Sequence, residues 1–301
     1  MKKRKTILIA SFLATVLATT GSAESLHIAT WNVEHLNEAN DAGCIPRTDE
    51  DYAYIAGRIA DLDADVVAIQ EVESATAAHR VFPKEDWTVV MSDRPNNRGD
   101  DSGSICWGTD DKRLRHQATG FAVRQGVEFE THPSYAHLAG DNPNQRWGTD
   151  LTIRTNDLSF RVLSVHLASG CWGPEQDGDA NRSGICTTLR GQVARLTAWI
   201  EARNAADEDY VILGDFNRRL ALPNDWAAEQ LLAPELRSIL VTEDLRLGTT
   251  VDDWCDARYP DLIDHIIVSE RLAAHIDLDS VVEHPRIRES PDHCIISSVI
   301  E

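Results

Sequence analysis

Tyr210-Val211-Ile212-Leu213-Gly214-Asp215-Phe216-Asn217 decides how the rest of the chain is read. The apolar run is too short for a helix of its own and reads as a strand buried on both faces. It stops abruptly on a glycine, a carboxylate and an amide. Sites in α/β proteins gather at strand ends, so such an ending marks candidate chemistry. The pattern recurs on both sides of this strand. Apolar runs at 26–33, 66–69, 88–91, 120–123, 151–154, 160–167, 262–269 and 294–300 predict further strands. Between some of them, Tyr52, Ile55, Ile59 and Leu62 recur at helical spacing, as do Leu189, Val193, Leu196 and Ile200. No repeat or linker divides residues 25–301. The polar segments 92–103, 139–145 and 170–184 read as surface loops, because strand patterns resume after each. The expectation is one α/β domain, its strands forming a layered sandwich with helices outside.

Polar residues close several of these strands. Thr30-Trp31-Asn32 ends the first, Ile69-Gln70-Glu71 the second, and Val165-His166-Leu167 lies in the sixth. Ile263-Asp264-His265 and Ser290-Pro291-Asp292-His293 belong to the C-terminal part. Each has an ordinary structural reading: a turn cap for Asn32, a satisfied core histidine for His166, an Asx turn for Asp215. Together they form the set that metal-assisted attack on phosphate needs: oxygen ligands for a hard cation, amide and imidazole donors for phosphoryl oxygens, and a carboxylate–imidazole pair for proton transfer.

In this order the motifs TWN 30–32, IQE 69–71, SVH 164–166, GDFN 214–217, IDHI 263–266 and SPDH 290–293 resemble those of the endonuclease/exonuclease/phosphatase superfamily, which includes deoxyribonuclease I. The resemblance covers essentially all of 25–301, and Pro291 inside the last motif is its one visible departure. It implies a four-layered α/β sandwich of two packed mixed β-sheets flanked by helices. It also implies roles: Glu71, Asn32 and Asp292 as holders of Mg2+ or Mn2+, Asp215 as the group that orients or deprotonates water, and Asn217 as a phosphoryl contact. His293, oriented by Asp264, and His166 are the imidazoles. Arg146 stands where such enzymes place a phosphate-contacting arginine, and Arg218 and Arg219, next to Asn217, are candidates for flanking phosphates. Gln70 is expected to shape the surroundings of Glu71. Asp253-Trp254-Cys255-Asp256 is similar to a signature of inositol polyphosphate 5-phosphatases, but there the motif's own aspartate is the strand residue, whereas Asp264 follows eight positions later. That specificity is not implied.

Composition restricts partners and compartment. With 29 basic and 49 acidic residues among 301, the formal charge is −20, which excludes a protein held on nucleic acid or anionic lipid by bulk charge. Lys2, Lys3, Arg4 and Lys5, the apolar stretch 7–17 and Gly21-Ser22-Ala23 have the layout of a cleavable export signal over 1–23, ahead of a domain at 24–301. Its removal leaves 25 basic against 49 acidic residues, a charge of −24. The expected location is periplasmic or secreted, with no stable membrane anchor. Six cysteines in an exported chain read as disulfides, and Cys171 with Cys186 is the pair suggested by locality. No CxxC pair supports a zinc site. Asp177, Asp179 and Asn181 have the spacing that opens a calcium loop, but the loop's glycine and closing glutamate are missing. A disulfide-tied polar loop is the leading reading there, a structural Ca2+ the other.

The function expected is therefore an exported metal-dependent phosphodiesterase, a nuclease acting on DNA or RNA, with nucleic acid as its substrate partner and no protein partner implied. The alternative is a phosphatase or a phospholipase C or sphingomyelinase-type esterase of the same superfamily. Trp107 and Trp172, in polar loops beside cysteines, would either contact lipid or pack on disulfides. A binding protein or toxin subunit on the same fold is a third reading, disfavoured because every matched position holds a competent residue.

Overall fold

Strand runs that are apolar at every position cannot leave either face in water, so they demand cover on both sides. In the computed structural model, which describes residues 25–96, 103–142, 144–243, 245, 255–256, 258–259, 261–286, 288 and 291–301, that cover is two sheets packed on each other with helices outside. The proposed export segment 1–23 lies outside the described residues, as do Ser290, Asp253 and Trp254.

The strands are β1 (Leu26–Leu36), β2 (Val66–Val72), β3 (Trp87–Met91), β4 (Ala118–Arg124), β5 (Glu128–Thr131), β6 (Thr149–Arg154), β7 (Ser159–His166), β8 (Asp209–Asp215), β9 (Ser238–Leu240), β10 (Asp264–Ser269), β11 (Ile276–His284) and β12 (Ile295–Ile300). The α-helices are α1 (Asp49–Leu62), α2 (Ala75–Ala78), α3 (Ser183–Ala205), α4 (Trp226–Leu231) and α5 (Glu270–Ala273). One sheet runs β11-β12-β1-β2-β4-β3 and the other β5-β6-β7-β8-β10-β9. Each has one central parallel pair, β1 with β2 and β7 with β8, and antiparallel pairs elsewhere. Parallel neighbours need a crossover. Helix α1 supplies it in one half and α3 in the other.

Alternation along the strands sorts the core into layers. Ile28, Val66, Ala68, Val162, Val211 and Leu213 face the space between the sheets. Their neighbours Ala29, Val67 and Ile69 meet Tyr52, Ile55, Ile59 and Leu62 of α1. On the opposite side, Leu163, Tyr210 and Ile212 meet Leu189, Val193, Leu196 and Ile200 of α3. The four-layered sandwich expected from the sequence is thus observed. Helix α1 starts at a reciprocal cap in which Thr48 and Asp51 satisfy each other's backbone N–H, with Asp49, Glu50 and Asp51 in its first turn.

Three short or partly exposed strands escaped the sequence pattern: β5, β9 and β11. All six cysteines are paired, Cys171 with Cys186 as expected, together with Cys44–Cys106 and Cys255–Cys294. Among the described residues, no helix is long and apolar enough to cross a membrane.

Candidate active site

The two parallel pairs end at the same edge of the sandwich. Asn32 is paired in register with Gln70, next to Glu71, while His166 pairs with Asp215 and Asp215 with Asp264 across the other sheet. Local backbone devices aim these side chains. The register of β1 on β2 shifts between Asn32 and Leu36, where Glu34 and His35 both take left-handed conformations (φ 47° and 57°), and Glu71 does the same at φ 61°. Such conformations cost about 1–3 kcal/mol each in non-glycine residues and persist where a site requires them. Gln70, fully buried, donates to Thr30 Oγ1 and to Ser164 Oγ, both at 3.2 Å, and so links the sheets behind Glu71.

Asp215 is the hub. Its Oδ2 accepts from Asn32 Nδ2 and Asn217 Nδ2, each at 3.0 Å, and lies 3.3 Å from His166 Nε2 and 3.7 Å from His293 Nε2. Its Oδ1 accepts from the Asn217 backbone N–H at 2.8 Å. Burial pushes its carboxyl up to about 7. His293 Nδ1 donates to Asp264 Oδ2 at 2.7 Å. Burial opposes the charged imidazole, yet Asp264 and Asp215 outweigh it and hold the His293 pKa well above its ordinary value. His166 is shifted oppositely: burial and the adjacent Arg146 guanidinium, which contacts its Nε2, hold it well below. At neutral pH the site therefore pairs a cationic with a neutral imidazole.

Glu71 Oε1 accepts from Asn32 Nδ2 at 3.3 Å, and its Oε2 lies 3.2 Å from both the backbone N and Nε2 of His35. Burial raises its pKa, but His35, Arg146 and His293 outweigh that and keep it below the ordinary value. A partly buried carboxylate kept ionised and bonded to the Asn32 amide offers oxygen donors suited to Mg2+ or Mn2+, and Asp292, exposed at the rim, lies 3.9 Å from His293 Nε2. His35 and Gln117, whose Nε2 is 3.2 Å from His35 Nε2, belong to these surroundings and were missed in the sequence. The signal available was the polar pair Glu34-His35 between the apolar Val33 and Leu36.

Two expectations are corrected. Arg218 does not face substrate: it is 0% exposed, with Nε donating to Asp225 Oδ2 at 2.6 Å and its other nitrogens to Asp177 at 3.1 and 3.2 Å. Its stem turns inward after Asn217, and Arg219 instead lines the cavity beside Asn217. Asp177, already engaged by Arg218 and by Trp226 Nε1 at 2.9 Å, holds an internal cation, so the calcium reading of 177–181 loses its first ligand. Trp107 packs on nothing and is fully exposed, whereas Trp172 lies in a cavity wall. Asp256 is bound by Arg258 and Arg286, and the Arg258 hydrogen bonds lower it to about 2.

The model of the Endonuclease/Exonuclease/phosphatase family matches residues 29–285. No curated protein sequence matches significantly. Among solved structures, the human Nocturnin catalytic domain with bound sulfate is similar at TM-score 0.62 and 14% identity, over 92% of this chain and 94% of that one. Truncated Caenorhabditis elegans TDP2 is similar at TM-score 0.56 and 14% identity, over 92% and 98%. The 3' phosphatase NExo from Neisseria, bound to a product DNA hairpin, is similar at TM-score 0.51 and 17% identity, over 92% and 99%. At these identities the likeness speaks for the fold.

Proposed function

The chain belongs to the endonuclease/exonuclease/phosphatase family, and from that premise we propose that it is an exported, divalent-metal-dependent phosphodiesterase that hydrolyses nucleic acid by activated-water attack. The observation that carries the reading is the convergence on Asp215 Oδ2 of Asn32, Asn217, His166 and His293, drawn from both sheets. A carboxyl tuned to about 7 exchanges protons readily at neutral pH, and two asparagine amides fix its direction.

Asp215 takes a proton from the attacking water. Cationic His293, steadied by Asp264, donates to a phosphoryl oxygen whose charge grows in the transition state. Arg146 adds a second cation there, and neutral His166 places a ring nitrogen between Asp215 and Glu71. Glu71, with Asn32 and Asp292, would hold Mg2+ or Mn2+, which when bound neutralises charge on a non-bridging oxygen. Three disulfides support export, and the DNA hairpin bound by NExo supports nucleic acid as the substrate.

The test is nicking of supercoiled plasmid by the disulfide-bonded chain with Mg2+ or Mn2+, with a chelator control and His166→Ala. Nicking lost in both controls supports the reading. A second reading, a lipid-headgroup esterase, has one observation behind it: Trp107 and half-exposed Ile105 project beside the Cys44–Cys106 bridge. Headgroup release from vesicles without plasmid nicking would favour it.

A further inference from the structure

In register, Asn32 stands opposite Gln70 and Leu36 opposite Val72, so three residues of β1, Val33, Glu34 and His35, face Glu71 alone. The strand bulges around the carboxylate that would hold the cation. Glu34, His35 and Glu71 all take left-handed conformations, at φ 47°, 57° and 61°. Non-glycine residues adopt these at a cost, and the conformations persist only where the surroundings enforce them.

Arg47 enforces this one. It is 3% exposed, and its guanidinium donates to the carbonyl oxygens at both ends of the bulge, Nη1 to His35 at 2.8 Å and Nη2 to Val33 at 3.1 Å. Glu34 Oε2 lies 3.7 Å from the same Nη2. A planar, forked group can bridge two carbonyls in this way, and a lysine ammonium on its flexible stem cannot reproduce it. Arg47 is anchored in turn, between Cys44, bridged to Cys106, and Thr48, the cap of α1.

The bulge turns His35 onto one oxygen of Glu71. Oε2 meets both the backbone N and Nε2 of His35, each at 3.2 Å, and because an ionised carboxylate only accepts, both nitrogens donate. Gln117 closes the other side of the ring, 3.2 Å from Nε2. Oε1 is hydrogen-bonded, among the described residues, only to Asn32 Nδ2 at 3.3 Å. This asymmetry bears on which cation fits. Ca2+ takes a carboxylate through one oxygen or two and tolerates irregular shells, whereas Mg2+ demands a near-ideal octahedron of closer oxygens.

Resting on the metal-dependent reading above, we propose that His35 is a positioning residue that selects the cation: it occupies Oε2 of Glu71, leaves Oε1 to a small octahedral ion and denies Ca2+ a two-oxygen contact. Arg47 keeps His35 there by pinning the bulge.

The experiment reads binding rather than turnover. Mn2+ is titrated into the disulfide-bonded chain and followed by electron paramagnetic resonance, with Ca2+ as competitor, and the component lost in Glu71→Gln is the one scored. The parent should prefer Mn2+ there; equal or tighter binding of Ca2+ would overturn the proposal without any further variant. His35→Gly removes the imidazole where glycine is unstrained, so the fold is spared. It should raise the Mn2+ Kd by about tenfold or more, the range expected when a group bonded to a metal ligand is removed, and raise the Ca2+ Kd less or lower it. Arg47→Lys should move the two ions in the same sense. Unchanged Mn2+ binding in His35→Gly, or equal weakening of both ions, would overturn the assignment of His35. Parental selectivity in Arg47→Lys would overturn that of Arg47. In these cases Mn2+ binding at Glu71 and plasmid nicking by the parent would still stand. Mn2+ binding that Glu71→Gln leaves intact would instead overturn the placement of the cation and this inference together.

Discussion

His293 Nδ1 donates to Asp264 Oδ2 at 2.7 Å while Nε2 of the same ring lies 3.7 Å from Asp215 Oδ2, so one imidazole spans two carboxylates that come from neighbouring strands. The pairing explains why a partly buried histidine stays charged. It also fixes which ring nitrogen is left for substrate.

Asp264→Asn should lower the His293 pKa and move the alkaline limb of kcat/KM to lower pH. The stability effect has a definite sign. A histidine raised in the folded state contributes stability in full below its unfolded value of about 6.5, and loses it as pH rises through the folded value. The variant should therefore be most destabilised near pH 6 and approach the parent at alkaline pH, as thermal unfolding at the two pH values will show. An equal deficit at both would refute the pairing's energetic role.

Asp215 has the opposite linkage. Its carboxyl rises from 3.8 to about 7 on folding, so between these values the folded state binds more protons and stability falls as pH rises. Asp215→Asn removes the ionised burden. Activity should fall by about 100-fold to 10,000-fold, as for loss of a general base, while the unfolding midpoint at pH 8 rises. The parent's activity should climb with pH through about 7. A lower midpoint in the variant would show that hydrogen bonding to the carboxylate outweighs its desolvation.

Arg146, in contact with His166, and Arg218, bonded to Asp177 and Asp225, should give opposite phenotypes. Arg218→Ala leaves Asp225 buried beside Asp177 without the cation that joined them, and should cost about 3–5 kcal/mol in denaturant unfolding. Arg146→Ala should spare most of that stability and lower kcat/KM instead. Reversal of the two phenotypes would exchange their roles.

Continuous apolar runs and helical spacing placed the central strands and both crossover helices, because those elements are buried on both faces or along one stripe. Edges were harder to read. In β11, Asp277, Leu278 and Asp279 face water or lie half-buried, so the pattern carries little hydrophobic signal. The carboxylates and imidazoles of the candidate site were legible because polar groups at the ends of apolar strands need a reason to be there. Arg218 misled for a related reason: adjacency in sequence to Asn217 does not say which way the chain turns, and its partners Asp177 and Asp225 lie 41 and 7 residues away. The surroundings of Glu71 depended on a bulge that turns His35 inward, which alternation cannot anticipate.

Gly214 tests how closely the fold and the site are joined. It sits at φ 145°, and a Cβ there would lie 2.1 Å from the Val165 carbonyl oxygen and 2.9 Å from its nitrogen, both backbone atoms that cannot move aside. Any side chain must push β8 from β7 at the pair next to His166 and Asp215. Gly214→Ala should thus lose activity together with more than about 3 kcal/mol of stability, the cost expected when a core backbone contact is broken. Gly57 in α1 is the control, since nothing lies within 4 Å of a Cβ added there and alanine favours a helix over glycine by about 1 kcal/mol. Gly57→Ala should raise the unfolding midpoint with activity retained. Were Gly214→Ala equally benign, the close approach of β8 to β7 would not be what positions Asp215.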